Sequence, residues 1–435
     1  MIIDNHPFQT NQLGHLVIGG IDTVDLAEKY GTPLYVYDVS MIRENCRSFV
    51  DTFKELGVKA QVAYASKAFS SIAMLQVIKQ EKLSLDVVSE GELYTALQAG
   101  FPTEKIHLHG NNKSAQELNM AIENNVGCIV VDNFHEIELL DQLLRKHDKE
   151  IDVLMRVTPG IELKTHHYIM TGNEDSKFGF SLNNGQANEA FQLLYKHDFM
   201  RFKGLHCHLG SQLFETEQFL LANEVLFTRL SIWQAEYGYI PEVLNLGGGF
   251  GIRYTGDDHP LPHREYVEKI VDSVKKHVEK ANIPFPEIWI EPGRAIAGNA
   301  GITLYTIGST KHIPEIRDYI SVDGGLTDNL RPALYNAKYE AVIANKVNAP
   351  IEKNVSVAGK CCESGDMLIW DLPLPIVNSG DVLAVFSTGA YGYSMASHYN
   401  RLPKPAVIFV EEGKDQVVIK RETYMDVVQY DLSYE

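Results

Sequence analysis

Short apolar runs and helix-compatible stretches alternate eight times between residues 61 and 290, and that alternation narrows the available folds more than any other feature of the chain. The apolar runs lie at 61–65, 83–88, 105–109, 128–131, 151–157, 203–207, 243–246 and 287–290. Between them come helical patterns at 70–82, 91–99, 114–124, 134–147, 217–237 and 266–281. Several runs are apolar without strict alternation, the pattern of parallel strands buried on both faces. Eight strand–helix repeats predict an α/β fold built on a (β/α)8 barrel of the TIM type. An open doubly wound sheet is the competing arrangement. The barrel is preferred because the count is eight and because the residues suited to chemistry all follow strand ends, which in a barrel share one rim.

Beyond about residue 300 the pattern changes to short strand-like runs at 355–357, 382–386, 406–410 and 417–419, separated by Pro, Gly and Asn. These predict an all-β domain, of sandwich or barrel type. The first 35 residues hold Leu16-Val17-Ile18-Gly19-Gly20 and a short helical pattern at 22–30, placed to pair with that sheet. The expected organisation is therefore an N-terminal segment, 1–35, packed with the β domain, a barrel over 36–300, and a C-terminal β domain over 301–435.

The first strand runs straight into Tyr64-Ala65-Ser66-Lys67-Ala68-Phe69. A lysine at a strand end can be shielded from water, which disfavours the ammonium form and frees a nucleophilic amine. Such an amine forms Schiff bases with aldehyde cofactors. Most lysines are solvated surface charges, so the other rim segments carry the argument. After the sixth strand comes Leu205-His206-Cys207-His208-Leu209-Gly210-Ser211, in which an imidazole could stack on a flat ring and Ser211 could bond a phosphate. For either histidine alone, a core residue satisfied by backbone is the commoner case.

After the seventh strand, Gly247-Gly248-Gly249 lets backbone N–H groups turn on an anion. Barrels commonly bind phosphate at this place. After the eighth, Glu291-Pro292-Gly293-Arg294 offers a carboxylate for a ring nitrogen and a guanidinium for a carboxylate or phosphate. The β region adds Arg331 and Tyr335, four apart and so on one side of a helical turn, the thiol of Cys361-Cys362-Glu363-Ser364-Gly365-Asp366, and the hydroxyls of Gly389-Ala390-Tyr391. Each of these is a turn by default.

Composition excludes several partners. Lysine and arginine number 39 against 57 acidic residues, a net charge of −18, which argues against nucleic acid or an anionic membrane. Five cysteines with no C-x-x-C pair suit neither a disulfide framework nor a structural zinc site, and no metal is expected. No basic stretch with an apolar core opens the chain, and no run approaches the roughly 18–20 apolar residues of a membrane helix. The expected location is the cytoplasm.

In order, the markers YASKAF, DVVSEGEL, HGNNKS, RVTPG, DSKFGF, GLHCHLGSQ, LNLGGGFG, EPGR, DGGLTDNLRPALY, CESGD and GAYGYSMAS make nearly the whole chain resemble the diaminopimelate decarboxylases, pyridoxal phosphate (PLP) enzymes of the alanine-racemase-like barrel class. Thr171-Gly172 with DSKFGF, RPALY and CESGD is the part specific to that branch. The resemblance implies decarboxylation of meso-2,6-diaminopimelate to L-lysine and CO2, the last step of lysine biosynthesis. It implies that Lys67 bonds the cofactor and His208 stacks on its ring, while Glu291 faces the ring nitrogen. Ser211, Gly249, Gly293, Arg294 and Tyr391 would hold the remainder of the cofactor. Arg294, Arg331, Tyr335, Glu363 and Tyr391 would contact substrate, and Cys362 would donate a proton. It further implies a homodimer in which the CESGD segment reaches the partner's site. One departure is His398, where asparagine is expected.

Three other activities fit the same scaffold. The first is decarboxylation of ornithine, arginine or a carboxylated polyamine such as carboxynorspermidine. Those substrates lack a distal amino acid head, so Arg331 and the CESGD acids favour diaminopimelate. An amino acid racemase would need two opposed bases. A non-catalytic PLP carrier would not need the β domain.

Overall fold

A computed structural model describes residues 6–160 and 175–434, so Thr171 and Gly172 lie outside the described residues. Eight parallel strands form the barrel: β1 (Ala60–Ala65), β2 (Ser84–Val87), β3 (Ile106–Leu108), β4 (Cys128–Val131), β5 (Ile151–Thr158), β6 (Met200–His206), β7 (Val243–Asn245) and β8 (Glu287–Ile290). Each pairs with the next except where β8 returns to β1, Trp289 opposite Gln61, and that pairing closes the ring. The barrel prevails over the open sheet because both would-be edges find a partner, which leaves no unpaired backbone row. All eight apolar runs are strands, and Cys128, Val130, Leu154, Val243 and Trp289 pack together as a buried cluster.

The helices begin where side chains can take up orphan N–H groups. Ser71, Ser89, Ser114 and Asn133 each accept from the backbone three residues on, and Ser114 with Glu117 forms a full capping box. Helix Gln186–Leu194 was not marked by the sequence pattern. It starts at Gly185, in the left-handed region and with no side-chain cap, so the usual start signal is missing. Helix Val39–Glu55, ahead of β1, also went unmarked.

The second unit is mostly strands. Its spine is Gly301–Ile313, thirteen residues long, paired with Leu34–Asp38, Arg317–Val322 and Val382–Val385. Leu34–Asp38 pairs in turn, parallel, with Ala406–Glu411. Leu16–Ile18 forms a small separate sheet with Gln9–Thr10 and Ile21–Asp22, rather than joining the main one. It still shares a core, in which Leu16, Ile18 and Leu26 pack with Val36, Ile302 and Ile408.

Contacts divide the chain into one unit of Arg43–Gly251 with Pro260–Ala295, and another holding residues up to Ile42, Ile252–His259 and Ile296 onward. The expected borders were 35/36 and 300/301. They move because Leu34–Asp38 is a strand of the β unit. Ile252–His259 joins that unit through Ser387 Oγ on the Arg253 carbonyl (3.1 Å) and the Gly256 N–H on Glu340 (2.8 Å).

Candidate active site

Lys67 sits in a single 3-10 turn, Ser66–Ala68, at the end of β1. The turn is pinned from both sides. Ser66 Oγ donates to Glu92 Oε2 at 2.7 Å, and the same carboxylate accepts the Val88 N–H at 2.8 Å. The Ala65 N–H donates to the Pro292 carbonyl at 3.2 Å, so the lysine turn and the EPGR segment are joined by backbone. Gly293 packs against Ala65 and Ala68.

Glu291, just past β8, is buried and richly held. Asn245 Nδ2 donates to Oε1 at 2.7 Å, His109 Nε2 lies 3.1 Å from Oε1, and His206 Nε2 lies 3.2 Å from Oε2. Burial alone would raise the Glu291 carboxyl, yet His109 and His206 outweigh it and hold it well below its ordinary value. His206 is pushed down to about 4 by burial and is a neutral donor. The sequence reading assigned no role to Asp86, His109 or Asn245, and it offered His206 only beside His208 as a candidate to stack on a ring. The available signal was position, since Asp86 and His206 lie near their strands' C-terminal ends, Asn245 ends β7, and His109 follows β3.

The glycine run lies against the Glu291 backbone. A Cβ on Gly248 would sit 2.3 Å from the Glu291 carbonyl oxygen, so no side chain fits. Gly249 has φ +105, in the region glycine favours. The Gly248 N–H donates to His208 Nδ1 at 3.1 Å, which leaves the His208 ring neutral with its proton on Nε2. Burial and then the positive charge of Lys67 depress that imidazole far below its ordinary value. Arg294, buried, donates from Nη2 to Ser211 Oγ at 2.8 Å. Lys67, His208, Ser211, Gly249, Glu291, Gly293 and Arg294 thus all belong to the barrel unit.

Arg331, Tyr335, Cys362, Glu363 and Tyr391 belong to the β unit. Arg331 and Tyr335 open and close a one-turn helix. Arg331 is buried, donates to Tyr339 Oη at 2.6 Å, and lies 4.9 Å over the Tyr254 ring. Burial opposes its charge, but the phenols of Tyr254 and Tyr339 hold it above the ordinary arginine value. Both tyrosines escaped the sequence reading. Cys362 and Glu363 are exposed, and the loop is fixed by the Cys362 N–H on Asn400 Oδ1 (2.7 Å) and the Cys361 N–H on Asp366 (2.8 Å). Tyr391 has φ +58, uncommon for a tyrosine and a mark of a constrained position.

The barrel residues fit the aldehyde cofactor that the resemblance implies. There is an amine at Lys67, an ionised carboxylate at Glu291 for a protonated ring nitrogen, a neutral imidazole at His208 for a ring face, and a side-chain-free glycine bend with Ser211 and Arg294 for an anion. A family model described as pyridoxal-dependent decarboxylase, pyridoxal binding domain, matches residues 39–298. The diaminopimelate decarboxylase of Bacillus subtilis (strain 168) is 60% identical over 425 residues, covering 98% of this chain and 97% of that relative. That of Bacillus methanolicus is 61% identical over 414 residues, covering 95% and 96%. The crystal structure of diaminopimelate decarboxylase from M. jannaschii in co-complex with L-lysine matches with a TM-score of 0.93 at 32% identity, covering 100% of this chain and 99% of that one.

Proposed function

The chain belongs to the pyridoxal-dependent decarboxylases and, within them, to the diaminopimelate decarboxylases, and from that premise we propose how its residues divide the work. The reaction is decarboxylation of meso-2,6-diaminopimelate to L-lysine and CO2, the last step of lysine biosynthesis, with PLP as cofactor. When bound, the cofactor supplies an electron sink for the pair released as the carboxylate leaves the α-carbon.

Lys67 anchors the cofactor through its Nζ amine. Glu291 offers a carboxylate to the ring nitrogen, and its ionised state favours the protonated ring. His208 gives the ring a neutral flat neighbour, so that no fixed charge competes with the electron sink. Gly249, Gly293, Ser211 and Arg294 supply N–H, hydroxyl and guanidinium donors to the phosphate, and Tyr391 adds a phenol.

Meso-diaminopimelate carries an amino acid head at each end, so the distal head must be read for one end alone to react. Arg294 or Arg331 takes the distal carboxylate, with Tyr335 and Tyr391 as hydroxyl neighbours, and Glu363 takes the ammonium. The Cys362 thiol returns a proton to the α-carbon. Cys362 and Glu363 are exposed on an ordered loop, which suits a segment that reaches the partner's site in a homodimer. The cysteines are unpaired, which fits the cytoplasm. Among the described residues no helix is long and apolar enough to cross a membrane.

The observation that carries this assignment is the buried Glu291 carboxylate, ionised between two imidazoles and an amide. CO2 release by the PLP-loaded protein tests the function, with meso-diaminopimelate, ornithine and arginine offered in parallel. Release from meso-diaminopimelate alone, with lysine appearing, is expected. Release from ornithine or arginine instead would overturn the substrate.

A further inference from the structure

Glu291 receives more polar groups than a ring nitrogen requires. His109 stands between two carboxylates, its Nε2 3.1 Å from Glu291 Oε1 and 3.7 Å from Asp86 Oδ1. The three side chains are only 5, 6 and 3% exposed. Burial raises the Asp86 carboxyl, and the charge of His109 is the largest influence against it, so at this depth the two carboxylates keep their charge best where a cation stands between them. A proton on His109 supplies one positive charge between them. Arg156, from β5, is the other cation that acts on Asp86, His109 and Glu291, and Lys67 acts on Asp86 as well.

The neighbours fix which imidazole holds the proton. His206, from β6, meets the His109 ring edge-on at 5.0 Å, so two imidazolium ions there would repel. His206 faces one carboxylate and His109 faces two, which places the charge on His109. His107, on β3, stacks on Trp289 at 4.1 Å and is pushed down to about 3 by burial, so it too is neutral. Asn245 cannot turn its oxygen toward Glu291, because that oxygen already accepts the Gly247 N–H at 2.9 Å.

We propose that His109 is a positioning residue for the reaction: as an imidazolium held between Asp86 and Glu291, it keeps Glu291 ionised and thereby keeps the cofactor's ring nitrogen protonated. The inference rests on Glu291 being the partner of that nitrogen. The direction of titration agrees. Burial pulls His109 down, but Asp86 and Glu291 outweigh it and lift the imidazole above its ordinary value. Ligand atoms of His109, His206 and Glu291 also lie within 4.8 Å of one another, a spacing a divalent cation would accept, so the test includes that outcome.

The experiment uses the holoenzyme with 15N-labelled histidine and PLP labelled at the ring nitrogen. In the unaltered protein at pH 8, both nitrogens of His109 and the cofactor ring nitrogen should read as protonated. In His109→Gln, with cofactor still trapped on Lys67 by borohydride, the ring nitrogen should shift to its unprotonated position. There kcat should fall roughly 10- to 100-fold, the usual cost of losing a group that supports a direct ligand, with KM little changed. His109→Lys, which keeps a cation, should restore the ring-nitrogen signal.

A neutral His109 in the unaltered holoenzyme overturns the proposal, as does a ring nitrogen that stays protonated in His109→Gln. A stoichiometric metal whose removal by chelator changes the His109 signal also overturns it. If His109→Gln fails to fold, the His109 signal of the unaltered protein decides. Asp86→Asn provides a second check, since it should lower the pH at which His109 titrates. A protein that takes up no PLP at all would instead defeat the assignment of Glu291.

Discussion

The turn that carries Lys67 is set by its neighbours. Ser66 is tied to Glu92 and Ala65 to Pro292, so the turn that carries the amine cannot drift from the rim. Lys67→Ala should therefore leave the fold intact, with circular dichroism unchanged, while decarboxylation falls by roughly 10³-fold or more and borohydride traps no cofactor. Retained trapping would move the anchoring amine elsewhere. A second residue gives a pH signature. Asp328 is buried, accepts from the Gly325 N–H and Thr327 Oγ1, and is pushed up to about 6 by burial. The folded protein then binds this proton more tightly than the unfolded chain does. Its contribution is full below the ordinary value of 3.8 and is lost as pH rises through about 6. That loss is worth about 3 kcal/mol. Urea midpoints should fall from pH 4 to pH 7 in the unaltered protein and fall less in Asp328→Asn; parallel slopes would refute the assignment. Lys67, Glu291 and Arg294 were legible because each follows an apolar run. Asp86, His109 and His206 were not, because each alone is an ordinary buried polar residue, and only closure of the ring turns β2, β3, β6 and β8 toward one carboxylate.

At the scale of elements, the glycine bend after β7 is held open by lack of space. The Gly248 backbone needs no left-handed conformation, and what forbids a side chain is the Glu291 carbonyl oxygen at 2.3 Å from a Cβ. Gly248→Ala must push the bend from the β8 end, at about 1–3 kcal/mol for an overpacked site. Thermal unfolding should shift down, and PLP affinity by equilibrium dialysis should weaken about tenfold or more. Unchanged affinity would show that the bend does not hold the cofactor. The eight barrel strands could be read from sequence because their apolar runs are bounded by polar or glycine residues. Strand Gly301–Ile313 could not, since its second half, Ser309-Thr310-Lys311-His312, is exposed and polar and owes its form to pairing with Arg317–Val322. Helix Gln186–Leu194 escaped for the related reason that its start is a glycine rather than a capping side chain.

For the whole molecule, the residues to which the proposed function gives roles fall in two units of one chain. Lys67 and Glu291 belong to the barrel unit, while Arg331, Cys362, Glu363 and Tyr391 belong to the β unit. Interleaving of the chain, with Leu34–Asp38 serving the β unit ahead of the barrel, was hidden from a linear division because strand pairing is non-local. A homodimer whose CESGD loop enters the partner's site makes a sharp prediction about lesions placed in different subunits. Lys67→Ala and Cys362→Ala should each abolish turnover alone. In a heterodimer of the two, purified through a different tag on each subunit, one site combines both lesions and the other combines neither. That heterodimer should recover about half the activity of the unaltered dimer. If Lys67 and Cys362 act within one subunit, both sites carry a lesion and no activity returns. Recovery therefore separates a shared site from a self-contained one, with either homodimer as the blank.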